Sequence, residues 1–180
     1  MHYWQENGKK AMIRLEKFTE RDFERFINWI DNEFFMHQFA GPVFVFPLTH
    51  HQLNNYITES NRNIYRVVES RSNRIIGHAE INGIDSKNKS ARLCRILIAD
   101  ESDRNKGYGR LIIKELLKIG FDKLKLHRID LGVFDFNESA IKCYEHCGFK
   151  KEGLLRDSFV IGNEFHSVYN MSILKEEWKS

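Results

Sequence analysis

Apolar and polar side chains alternate from Met12 to Phe18, the pattern of a half-buried strand. Thr19 then reads as a helix N-cap: Asp22 lies three positions on, and Phe23, Phe26, Ile27 and Ile30 recur at helical spacing. The stretch from Phe34 to Pro47 is aromatic but has no clean period, and Gly41-Pro42 marks a turn inside it. From Thr49 a second helix is predicted, with Leu53, Tyr56 and Ile57 on one face. Strand patterns follow over Ile64 to Glu69 and Arg74 to Ile81, with Arg71-Ser72-Asn73 as the turn between them. After a polar loop from Asp85 to Ser90, a third strand pattern runs from Ala91 to Ala99.

A polar, glycine-containing loop then leads into a helix carrying Leu111, Ile112, Leu116, Leu117, Phe121 and Leu124. A strand from His127 to Phe134 and a short helix from Asn137 to Cys147 come next. Two final strands, Phe149 to Ile161 and Phe165 to Leu174, turn at Gly162-Asn163. Alternating strands and helices in the middle, with antiparallel hairpins at the edges, predict a mixed α/β fold with helices on both faces of the sheet. No repeat or domain boundary interrupts the pattern, so residues 12–180 read as one domain. Residues 1–11 read as an N-terminal extension of little structural weight.

Composition narrows the class. A chain of 180 residues, 42% hydrophobic and 29% charged, suits one globular domain with a real core. The net charge of +3 accommodates a phosphate-rich small ligand and does not require nucleic acid, because no block of like charge occurs. Cys94, Cys143 and Cys147 are expected to be reduced thiols in a cytoplasmic protein. No apolar run approaches a membrane span, so no membrane partner is expected.

The segment Arg104-Asn105-Lys106-Gly107-Tyr108-Gly109-Arg110 lies between a strand and a helix. Glycines there let successive backbone N–H groups converge where the helix dipole is positive, which suits a phosphate. It lacks the G-x-G-x-x-G of a dinucleotide site and the G-K-[ST] of a nucleotide triphosphatase. After the following strand comes Asn137-Glu138-Ser139-Ala140-Ile141-Lys142-Cys143-Tyr144-Glu145-His146-Cys147-Gly148-Phe149. Together the two segments resemble the GNAT superfamily of N-acetyltransferases. Its cofactor loop reads [QR]-x-x-G-x-[GA], matched by Arg104, Gly107 and Gly109. Its later helix reads N-x-x-A-x-x-x-Y-x-x-x-G-F, matched by Asn137, Ala140, Tyr144, Gly148 and Phe149. The tail from Glu152 to Asp157 and the hairpin at Gly162-Asn163 resemble the branch of ribosomal-protein and spermidine N-acetyltransferases.

The resemblance implies a six- to seven-stranded, mostly antiparallel sheet and acetyl-coenzyme A as cosubstrate, with no metal. It implies that Leu97, Ile98 and Ala99 pair by backbone with the pantetheine arm, and that Asn105 to Arg110 (Asn105, Lys106, Gly107, Tyr108, Gly109, Arg110) hold the pyrophosphate. Asn137 would bond the pantetheine, and Tyr144 would stand at the thioester sulfur as general acid. The acceptor would be a small-molecule or protein N-terminal amine, and a homodimer is common in the family. Glu80 is the candidate base, with His78 and Asn82 on its face by alternation; its plain alternative is a solvated or ion-paired strand carboxylate. Glu33 and the Phe34 to Phe46 segment are the candidates to line the acceptor site.

Three other readings are weaker. Cys143, His146 and Cys147 lack the second pair of ligands that a structural zinc site needs. A nucleic-acid module would need a clustered basic stripe or recognition helix, and the scattered lysines and arginines form neither. A catalytically degenerate coenzyme A-binding sensor keeps the fold but leaves Tyr144 without a purpose.

Overall fold

The computed structural model describes residues 12–179, together with a two-residue ladder pairing Gln5–Glu6 with Lys9–Lys10. The expected extension over residues 1–11 otherwise lies outside the described residues. Strands β1 (Ile13–Lys17), β2 (Asn63–Glu69), β3 (Ile75–Asp85), β4 (Ser90–Ile98), β5 (Arg128–Phe134), β6 (Lys150–Ile161) and β7 (Glu164–Leu174) form one sheet. Its order is β1-β2-β3-β4-β5-β7-β6, antiparallel throughout except between β4 and β5. Helices α1 (Phe23–Asn28), α2 (Glu33–Ala40) and α3 (His50–Thr58) share one core cluster, built on Phe18, Phe26, Met36, Leu53 and Leu97. Helices α4 (Tyr108–Lys118) and α5 (Glu138–His146) share the other, with Ile112, Leu116, Ile129, Ile141 and Met171. The mixed sheet with helices on both faces is therefore the fold that the pattern predicts.

Helix α2 departs from the sequence reading, which left this stretch without a period. Asn32 caps it, its side-chain oxygen accepting from the Phe35 amide at 2.8 Å. Met36 and Ala40 pack into the core on one side, while Phe35 and Phe39 line a cavity on another. A helix apolar on two faces leaves only Glu33, His37 and Gln38 polar, too narrow a stripe to reveal its period.

The two parallel strands meet over only three pairs, Ser90–Arg128, Ala91–Ile129 and Arg92–Asp130, and then part. The cause lies in β4. Its register against β3 slips between the pairs His78–Leu97 and Glu80–Cys94, and Arg95 takes a left-handed conformation at φ 49°. One extra residue is thus bulged out, which bends and twists the strand. The bulge also exchanges faces: Ala91 and Leu93 belong to the α4 side of the core, whereas Leu97 belongs to the α1–α3 side. Gly77 lets β3 stay close on the other flank, since a Cβ there would run into the Leu97 carbonyl oxygen.

Candidate active site

The parting of β4 and β5 opens a cavity of about 1200 Å³, lined by both strands, the Arg104–Arg110 loop, α5 and the end of α2. The loop reaches it from β4 through a turn capped by Asp100, whose carboxylate accepts from the Ser102 amide at 2.8 Å. Asn105 at φ 60° and Gly107 at φ 83° are both left-handed, so the chain curls as an anion-binding concavity does. A Cβ on Gly107 would meet no atom within 4 Å, so the space before α4 is open. The first bond into α4 runs from the Leu111 amide to the Gly107 carbonyl at 3.2 Å. The amides of Gly109 and Arg110 precede that bond and have no carbonyl to meet within the helix. Arg104, Lys106 and Arg110 stand around them along the cavity wall. The donor set fits the pyrophosphate of coenzyme A.

Farther along, β4 offers its open edge. The Ala99 amide donates to the Ile76 carbonyl at 3.0 Å and is committed to β3, so it is not free to pair with a pantetheine arm as the resemblance implied. By alternation the backbone groups of Ile98 and Ile96 are the ones turned toward the unpaired side. Leu97 lines the cavity but sends its side chain into the core. Asn137 caps α5, its side-chain oxygen accepting from the Ala140 amide at 3.2 Å. Its amide nitrogen is left to donate into the cavity that Asn137 lines.

Tyr144 lies on α5 with its ring tilted against Phe149 at 5.9 Å, and it lines the same cavity. Among the described residues no hydrogen bond holds its hydroxyl. Enclosure by the protein pushes its ionisation well above the ordinary tyrosine range, and the neighbouring thiols of Cys143, Cys94 and Cys147 push in the same direction.

The chain matches the acetyltransferase (GNAT) domain over residues 15–169. The spermidine N(1)-acetyltransferase of Vibrio cholerae serotype O1 is 32% identical over 161 residues, covering 88% of this chain and 91% of that protein. This chain belongs to the GNAT acetyltransferase family. A crystal structure of spermidine N-acetyltransferase from Vibrio cholerae, in complex with CoA and spermine, superposes with a TM-score of 0.80 at 28% identity, covering 92% of this chain and 96% of that one. The putative ribosomal N-acetyltransferase YdaF of Bacillus subtilis is 28% identical over 105 residues, 58% of this chain and 56% of that protein. As a GNAT protein the chain is an acetyl-coenzyme A-dependent acyltransferase acting on an amine. Among the described residues no cluster of His, Cys, Asp and Glu is placed to hold a metal, and no helix is long and apolar enough to cross a membrane.

Glu80 is not on the cleft wall. It is fully buried on the α1–α3 side of the sheet, where its carboxylate accepts from the Tyr56 hydroxyl at 2.5 Å and from Arg95 Nε. Arg62 Nη1 lies 3.2 Å from its other oxygen. Both guanidiniums also stack over the Tyr56 ring, at 5.1 and 5.4 Å from its centroid. His78 shares this face, as alternation predicts, and its Nδ1–H donates to the Arg95 carbonyl at 2.9 Å. Glu80 is thus the ion-paired strand carboxylate of the plainer reading; it holds the guanidinium of the bulged Arg95, while His78 on the same face holds that residue's carbonyl. Glu33 is exposed at the start of α2, 3.6 Å from His37. Arg95, Tyr56 and Arg62 escaped the sequence reading; the signal was an arginine at core parity inside an apolar strand.

Burial pushes the His78 imidazole down to about 4. An unfolded histidine takes its proton near pH 6.5. Between those values the unfolded chain holds a proton that the folded chain refuses, so stability falls as pH drops through that window. Urea midpoints from pH 7 to 4 should therefore fall more steeply for wild type than for His78→Gln, by up to one proton in slope. Equal slopes would mean that His78 charges freely in the folded protein.

Proposed function

We propose that this enzyme transfers the acetyl group of acetyl-coenzyme A to a primary amine by direct attack, with Tyr144 as general acid. The carrying observation is the place of Tyr144 on the wall of the cleft opened by β4, with its hydroxyl held by no hydrogen bond among the described residues. The Arg104–Arg110 loop would hold the pyrophosphate, and Asn137 with the backbone of Ile98 and Ile96 the pantetheine arm. The amine nitrogen forms a bond to the thioester carbonyl carbon as the carbon–sulfur bond breaks. The departing thiolate takes the Tyr144 proton, the amine loses its own to water, and solvent reprotonates the tyrosine. With Glu80 engaged by two arginines, the amine must be neutral through its own equilibrium or a water chain. Spermidine, which names the Vibrio relative, is one primary amine that this chemistry admits; so are smaller amines.

Edge strand β6 and its hairpin with β7 expose Leu154, Val160 and Phe165 beside an unpaired backbone edge. Such an edge is normally covered, and we infer that a second copy of the chain covers it.

Three measurements test these readings. Gly107→Asp places a carboxylate and a strained backbone at the loop, so calorimetry should find acetyl-coenzyme A binding abolished with folding intact; wild-type affinity would remove the loop from the site. Tyr144→Phe should slow thiol release on the order of 10²–10⁴-fold while leaving cofactor affinity within a few fold. A loss under threefold would make Tyr144 a packing residue. Light scattering should return at least a dimer at micromolar concentration, shifted toward monomer by Phe165→Lys; a monomeric wild type would overturn self-association.

A further inference from the structure

The acceptor end of the cavity lies between α2 and the β5–β6 side. Phe35 and Phe39 come from α2, Val43 from the turn after it, Phe134 from β5, and Leu155 and Phe159 from β6. Phe159 bridges the two sides: its ring is 5.3 Å from that of Phe134, 6.4 Å from His37, and within 3.8 Å of where a Cβ on Gly41 would stand. The walls are thus aromatic and aliphatic on both sides of the opening.

The charges nearby are arranged against a polycation. Among the described residues that line the cavity none is acidic, whereas Arg92, Arg95 and His37 all line it. Two carboxylates behind the walls are already engaged, and Asp157, beside Leu155 and Ser158, stands outside the lining. Glu80 is held by Arg95, Arg62 and Tyr56. Asp130 accepts from Arg92 at 2.6 Å and lies 3.8 Å from Arg128. Glu33 stands outside, its side chain 64% exposed. The sequence agrees, with no Asp or Glu between Phe34 and Thr58. A second ammonium brought inside these walls would lose water and meet no acidic side chain among the described lining residues.

We propose that the acceptor is a primary monoamine carried on an apolar, aromatic-sized body, a class that this site prefers to polyamines; the proposal rests on the acetyltransferase reading above. The same walls explain how the amine is readied for attack. Desolvation among aromatic side chains disfavours the ammonium form and lowers its ionisation, so a monoamine becomes neutral in the pocket without a carboxylate base. The body of the substrate supplies apolar contact with Phe39, Phe134 and Phe159, and its nitrogen points toward the thioester beside Tyr144.

The test is a thiol-release assay with mass detection of product, comparing 2-phenylethylamine, hexylamine, spermidine and spermine at one pH. The expected result is a kcat/KM for 2-phenylethylamine at least about tenfold above that for spermidine, the scale on which apolar pockets discriminate. Phe159→Glu should narrow or reverse that ratio. Val43→Glu, at a rim position 43% exposed and so tolerant of change, should move it in the same direction. Preferred turnover of spermidine that still depends on Tyr144 would overturn the inference and leave the acetyltransferase reading standing. So would acetyl-coenzyme A binding with neither monoamine acetylated. Failure to bind acetyl-coenzyme A at all would instead bring down the underlying reading.

Discussion

The pairing of β4 with β5 stops after Arg92, and the functional geometry depends on that interruption. Parallel neighbours ordinarily continue their ladder, and an unmade ladder leaves backbone groups that need partners. Here the bulge at Arg95 turns β4 aside, so those groups face a cavity into which a cosubstrate's amide-bearing arm can be drawn as an added strand. The same divergence makes room for the start of α4 at one end and for the end of α2 at the other. The proposed phosphate loop, the open strand edge and the proposed acceptor walls thus all trace to one displaced residue.

A left-handed arginine in a strand is strained by about 1–3 kcal/mol and persists only where its surroundings over-determine it. Arg95 is held by its guanidinium on Glu80 and by its carbonyl on His78. Burial works against the Arg95 charge, but its hydrogen bond to Glu80 and the neighbouring charges raise its ionisation further above an already high range, so the guanidinium stays charged. Tyr56, itself pushed well up by burial and by the Glu80 charge, remains a hydroxyl donor rather than a competing anion. The cluster is buried and ion-paired, yet Glu80 Oε1, Arg62 Nη1 and Arg95 Nη2 have no hydrogen bond among the described residues, so its product is a fixed bend rather than net stability.

Much of this was legible in the chain. The Arg104–Arg110 loop and the Asn137–Phe149 helix carry their chemistry in glycine placement and local caps, which are short-range and survive without knowledge of the fold. Seven strands could be read because alternation is local as well. What escaped was whatever depends on which surface lies opposite. Alternation put His78 and Glu80 on one face but could not say that α3 and two arginines cover it. Helix α2 hid its period because core and cavity both ask for apolar side chains. Ala99 was read as part of a free edge, although only alternate residues of a bulged strand point that way.

Two of those misreadings, Glu80 and helix α2, share one physical root with the acceptor site. A carboxylate among apolar and cationic groups cannot be both a tight structural partner and a mobile base, because protonating Glu80 would release two guanidiniums into a buried space. The fold resolves this in favour of structure, and the work of neutralising the amine passes to the medium of the pocket. An aromatic wall does that work by making the ammonium form unfavourable rather than by taking its proton. The apolar second face of α2, which concealed the helix in the sequence, is part of the wall that does so.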